Sequence, residues 1–166
     1  LGLAASQTTV PQEAVTYLVN NQQNGLWDNG FGPDLDTSAM AVIALMSSGQ
    51  VDKKHAAIIS AFAIFQSAQL ENAGWKPEWD TDDLNVDTTG WITLALVTAG
   101  EDLTQWSKNG MSPQDALSSQ QKEDGSIGGT YVGVYSTIEA LLGFANSPLF
   151  TPPVPVQEEN PVLIEF

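Results

Sequence analysis

The chain has 166 residues, 42% of them hydrophobic, and sets five basic side chains against twenty acidic ones for a net charge of −15. That length supports one domain with a hydrophobic core, and the acidity excludes recognition of nucleic acid or of anionic membrane surfaces, both of which need basic patches. With no cysteine, disulfides, thiolate chemistry and most structural zinc sites are excluded as well.

The first six residues, Leu1-Gly2-Leu3-Ala4-Ala5-Ser6, carry two readings. Small residues before a cut fit the tail of an export signal, which places the protein at the cell surface or outside the cell. Alternatively, Leu142-Gly143-Phe144-Ala145-Asn146-Ser147 repeats the pattern, so residues 1–6 also read as the end of a helix from an upstream repeat. The longest apolar runs, at 56–65 and 91–99, are too short to span a bilayer.

Beyond that opening the chain is self-similar. The first block, at about 10–50, holds Tyr17-Leu18, Gln22-Gln23-Asn24-Gly25-Leu26-Trp27 and Asp36-Thr37-Ser38. The second, at about 51–101, holds Phe65-Gln66, Gln69, Gly74-Trp75 and Asp87-Thr88-Thr89. The third, at about 111–148, holds Ala116-Leu117, Gln120-Gln121, Gly125-Ser126-Ile127 and Ser136-Thr137. Gly25, Gly74 and Gly125 are spaced by 49 and 51 residues, and Asp36, Asp87 and Ser136 by 51 and 49. Each block predicts two helices. The first is amphipathic, with Ala14, Tyr17, Leu18 and Asn21 on one face in the first block. The second is apolar almost all round, as in Met40-Ala41-Val42-Ile43-Ala44-Leu45-Met46 and Trp91-Ile92-Thr93-Leu94-Ala95-Leu96-Val97. Such a helix must be buried on every side, which makes the second helices an inner layer and the first ones an outer layer. Ser112 before Pro113 marks one start, Ser136 with Glu139 reads as a capping box, and Asp36 and Asp87 stand where N-caps belong. Gly49 and Gly100 close the apolar helices. Residues 151–166, rich in proline and then acidic, read as a linker or tail after a domain at 1–150.

Tyr17-Leu18-x3-Gln22-x2-Gly25-x-Trp27 resembles the QW motif of squalene and oxidosqualene cyclases; Gln69-x4-Gly74-Trp75 is a weaker copy, and Gln120-x4-Gly125-x-Ile127 has lost its tryptophan. The Asp-Thr or Ser-Thr element that opens each inner helix resembles the repeat of terpene cyclases, protein prenyltransferase β subunits and cobalamin carriers such as intrinsic factor. The resemblance covers about residues 10–147 and implies an all-α fold, an α/α toroid of which about three helical hairpins form a half ring. It implies that the motif glutamine ties one helix to the next and that the tryptophan packs between repeats. It also implies that a second copy, another subunit or further chain completes the ring, because a half ring leaves apolar flanks open.

The same resemblance offers chemistry. Asp34-Leu35-Asp36-Thr37-Ser38-Ala39 is similar to the D-x-D-D-T-A acid motif of squalene–hopene cyclases, with threonine in place of the third aspartate. A cyclase fragment would use Asp36, with Asp34 beside it, as the proton donor. Against that stands Asn85-Val86-Asp87-Thr88-Thr89, which repeats the element, since a cap is needed at every helix and a catalytic acid only once. The prenyltransferase zinc site and the thioester proteins of this architecture both require a cysteine. The single histidine, His55, reads as a solvated residue in the first turn of an outer helix. Asp80, Asp82, Asp83 and Asp87 supply oxygen donors of the kind calcium takes, in no EF-hand register; otherwise they form a solvated loop. Trp79, Trp91, Met40, Tyr131, Tyr135 and Glu139 are expected at the rim of a cavity for an apolar, corrinoid or carbohydrate ligand. The expectation is therefore a non-catalytic binding or assembly module without a resident cofactor. A class II terpene cyclase fragment is the first alternative and a cobalamin carrier the second.

Overall fold

The computed structural model of the protein describes residues 8–150, so both the opening segment and the proline-rich tail lie outside the described residues. Within them the chain is mostly helical. Six α-helices are present: α1 (Gln12–Asn20), α2 (Leu35–Ser47), α3 (Ala56–Ala68), α4 (Val86–Thr98), α5 (Pro113–Ser118) and α6 (Val134–Leu142). A short 3₁₀ turn, Leu103–Trp106, precedes α5.

The helices alternate between two roles. α2 packs on α4, and α4 on α6, so the three apolar helices make one continuous row. α1, α3 and α5 lie behind it: Val15 of α1 and Ile58, Ala61 and Phe65 of α3 join the main core with α2 and α4. Ala116 and Leu117 of α5 join a second core with Val86 and Ala140. The amphipathic face of α1 is rotated from the predicted one. Val15 is its buried residue, Leu18 and Val19 are half-buried, and Ala14, Tyr17 and Asn21 face outward. The buried face is set by packing, with Val15 in the main core and Leu18 and Val19 against it.

The all-helical expectation needs one correction. Trp27–Asp28 (β1) and Pro33–Asp34 (β2) pair antiparallel, with Trp27 opposite Asp34. The cause is local. The Asp28 carboxylate accepts hydrogen bonds from the Gly30 and Gly32 amides at 2.6 and 2.9 Å, folding the four-residue link back on itself.

One contact recurs at the start of each inner helix. The Trp27 amide donates to Ser38 Oγ at 2.9 Å, the Trp75 amide to Thr89 Oγ1 at 3.0 Å and the Ile127 amide to Thr137 Oγ1 at 3.0 Å. Both tryptophan indoles then donate 2.7 Å hydrogen bonds to the helix before them, Trp27 to the Leu18 carbonyl and Trp75 to that of Phe65. Gln22 reaches the Ala57 carbonyl at 2.7 Å, and Gln69 the Trp106 carbonyl at 2.6 Å. Each glutamine thus ties its own segment to the next outer one. The serine and threonine positions fix the structural register. Ser38, Thr89 and Thr137 are equivalent, which places Tyr135, rather than Ser136, opposite Asp36 and Asp87.

Candidate functional site

The first turns of α2 and α4 and the second turn of α6 bring acidic residues together, and the caps decide which of them are free. Asp34 is the N-cap of α2, accepting from the Thr37 amide and hydroxyl at 2.7 Å each. Asn85 caps α4, accepting from the Thr88 amide at 2.9 Å. The expected caps, Asp36 and Asp87, are therefore each displaced by two residues into the helix. The expected Ser136–Glu139 box is displaced in the same way: α6 starts after Gly133, whose amide donates to Ser136 Oγ at 2.9 Å. The expected start at Ser112–Pro113 is present, with Asp115 completing a capping box. Gly49 and Gly100 take the left-handed conformation just past α2 and α4, at φ 71° and 68°.

Released from capping, Asp36 and Asp87 turn toward α6. Glu139 is 7% exposed and lies close enough to act on both carboxyl groups. Burial pushes Asp36 up from 3.8 to about 6, against a hydrogen bond from Thr88 that favours the charged form; Asp34 and Glu139 add to the rise. Burial likewise pushes Asp87 up to about 6, followed by the charges of Glu139, Asp36 and Asp80. A carboxylate in the first turn of a helix is ordinarily stabilised by the helix dipole; here desolvation is the larger effect. Asp36 Oδ1 and Asp87 Oδ1 are buried without a hydrogen-bond partner. Tyr135, at the equivalent position of α6, hydrogen-bonds Glu139, and that bond is the main reason its hydroxyl is held above its usual value. Two carboxyl groups that titrate near neutrality, each with an unsatisfied oxygen, can accept hydrogen bonds from a donor or give up a proton.

The remaining candidates differ in burial. Trp91 is half-buried against the main core, and Met40 is 37% exposed on α2. Trp79, Tyr131 and Tyr135 are all largely exposed. In the acidic loop, Asp80 accepts from Asn85 and from the Asp82 amide. Asp82 accepts from the Thr130 amide and hydroxyl at 2.6 Å each, which hold its carboxyl below the usual value, the hydroxyl bond foremost. Asp82 thus fastens this loop to the segment before α6. Asp83 is exposed. Among the described residues no three acidic or histidine side chains are grouped to hold a metal ion. His55 also departs from expectation: it is the N-cap of α3, its Nδ1 accepting from the Ala57 amide at 3.2 Å.

A second feature was not legible in the sequence. α6 is buried on only one side. Ser136, Glu139 and Ala140 face inward, whereas Val134, Ile138 and Leu141 are 81%, 55% and 56% exposed. No helix among the described residues is long and apolar enough to cross a membrane. No family model matches the chain, and neither a curated protein nor a solved structure matches it.

Proposed function

We propose that the chain is a non-catalytic binding or assembly module of a secreted or cell-surface protein, built from helical hairpins of the squalene-cyclase/prenyltransferase kind and forming part of an α/α toroid. The observation that carries this reading is the uncovered side of α6. Among the described residues the apolar row α2–α4–α6 ends in a helix that presents Val134, Ile138 and Leu141 in helical spacing to solvent. An exposed apolar stripe on a chain of net charge −15 marks a surface that meets something. Nile red, an uncharged dye, tests it together with molar mass by light scattering. The reading expects either an assembly heavier than 17.7 kDa, or a monomer whose dye fluorescence falls in the Ile138→Asp variant. A monomer whose weak dye signal is the same in wild type and variant refutes it.

A terpene cyclase fragment remains a second reading, because Asp36 is free of capping and carries a carboxyl pushed up to about 6. The exposure of Trp79, Tyr131 and Tyr135 weighs against it, since carbocation chemistry needs aromatic walls that exclude water. Incubation with squalene decides it: a cyclised product that disappears in Asp36→Asn supports the reading, and no product ends it.

A further inference from the structure

We propose that the exposed side of α6 docks on α2 of a second copy of this chain, head to tail. This deepens the assembly reading above by naming the occupant and the joint. The argument starts from the seam between α4 and α6. Gly90 lies so close to α6 that a β-carbon there would overlap the Glu139 carbonyl oxygen, and its α-carbon touches the Gly143 site. Val86 shares a buried cluster with Ala140. The α4 side of this seam is anchored by Gly90, with Val86 one turn earlier on the same face, and the α6 side by Glu139, Ala140 and Gly143, with the buried Ser136 one turn earlier.

The recurrent hydroxyl contact carries those positions from helix to helix. Moved 48 residues on, from Thr89 to Thr137, Val86 and Gly90 become Val134 and Ile138, the exposed stripe. Moved back 99 residues, from Thr137 to Ser38, Ser136, Glu139, Ala140 and Gly143 become Thr37, Met40, Ala41 and Ala44 on α2. Thr88, equivalent to Thr37, lies close enough to act on the Asp36 carboxyl across the α2–α4 seam, so this position faces the preceding inner helix there too. On α2 itself no inner helix precedes it among the described residues. Met40 is 37% exposed, Thr37 and Ala44 are half-buried, and Ala41 between them is already buried in the core, so Met40 is the exposed point of this face.

The described residues thus hold both halves of the joint: a stripe on α6 and the matching positions on α2. Both halves are uncharged at every named position, which lets copies of a strongly acidic chain approach without pairing like charges. The new seam is not a replica of the α4–α6 one. Ile138 stands where Gly90 does, so the incoming helix sits further out, with the isoleucine meeting the flexible, exposed Met40. A head-to-tail joint either closes into a ring or keeps adding copies.

Light scattering over a concentration series tests the joint. Wild type is expected at a whole multiple of 17.7 kDa, two copies or more. Ile138→Asp on α6 and Met40→Asp on α2 are each expected to be monomeric, with helical circular dichroism unchanged. An equimolar mixture of the two variants is expected at twice the chain mass and no higher. The intact α2 of one variant meets the intact α6 of the other, and the opposite ends are blocked. A Met40→Asp chain that still associates overturns the head-to-tail joint, as does a mixture that stays monomeric. Monomeric wild type whose Nile red signal is lost in Ile138→Asp overturns the second copy while the assembly surface stands. Monomeric wild type with no such dye signal overturns both.

Discussion

Replacing Asp36 by asparagine should make the protein more stable at pH 7 and leave it unchanged near pH 4. In the folded chain the Asp36 carboxyl is pushed up from 3.8 to about 6, chiefly by burial. The sign follows from linkage. The folded state holds this proton more tightly than the unfolded state does. Stability is therefore full below the unfolded value and is lost as pH rises from about 4 through about 6. At pH 7 the folded chain carries a partly desolvated charge whose Oδ1 has no hydrogen-bond partner. The gap between 3.8 and about 6, at ~1.4 kcal/mol per pH unit, sets a ceiling of ~3 kcal/mol. Asp87 and Glu139 take up part of any change in charge, and Asp36 keeps some solvent, so a gain of ~1–2 kcal/mol is expected. Asparagine retains an acceptor for Thr88, which isolates the charge from the hydrogen bond. The assay is urea unfolding followed by tryptophan fluorescence from pH 4 to pH 8, reading the midpoint at constant slope. As a control, Asp34→Ala removes a true cap and should cost ~1 kcal/mol at neutral pH. If Asp36→Asn is destabilising at pH 7, or its effect is the same at both ends of the range, the carboxyl is not desolvated as described and the reasoning fails.

Two further outcomes test the packing. Gly90→Ala should destabilise by about 3 kcal/mol and loosen α6 first, because the added methyl meets the Glu139 backbone rather than a movable side chain; thermal unfolding combined with hydrogen exchange in residues 134–142 reads both effects. Thr89→Val keeps the shape but leaves the buried Trp75 amide without its acceptor, for a loss of ~1–3 kcal/mol in urea unfolding; the same variant with no loss would show that the recurrent hydroxyl contact is not structural.

Much of the architecture was written locally. Six helices, the glycine ends at Gly49 and Gly100 and the cap at Ser112 all follow from residues acting within a few positions of one another. The QW-like glutamines and tryptophans also stand where their chemistry requires, because an indole and an amide need fixed partners when buried. The caps of α2 and α4 were misplaced for a reason that local pattern does not contain. In Asp34-Leu35-Asp36 and Asn85-Val86-Asp87 both polar residues suit an N-cap, and only the pairing of Trp27 with Asp34 and the seating of Thr89 under Trp75 decide between them.

The sequence alone determined which segments become helix or turn, and that the chain is acidic and free of thiols. Only the tertiary structure decided which carboxylates are released from capping, that Asp36, Asp87 and Glu139 share one desolvated corner, and that Tyr135 takes the third equivalent position. It also decided that α6, apolar like its predecessors, is left with one side bare. The physical reason is that desolvation and exposure belong to neighbours brought together from 48 and 51 residues apart, whereas propensity and capping belong to the few residues of a single turn.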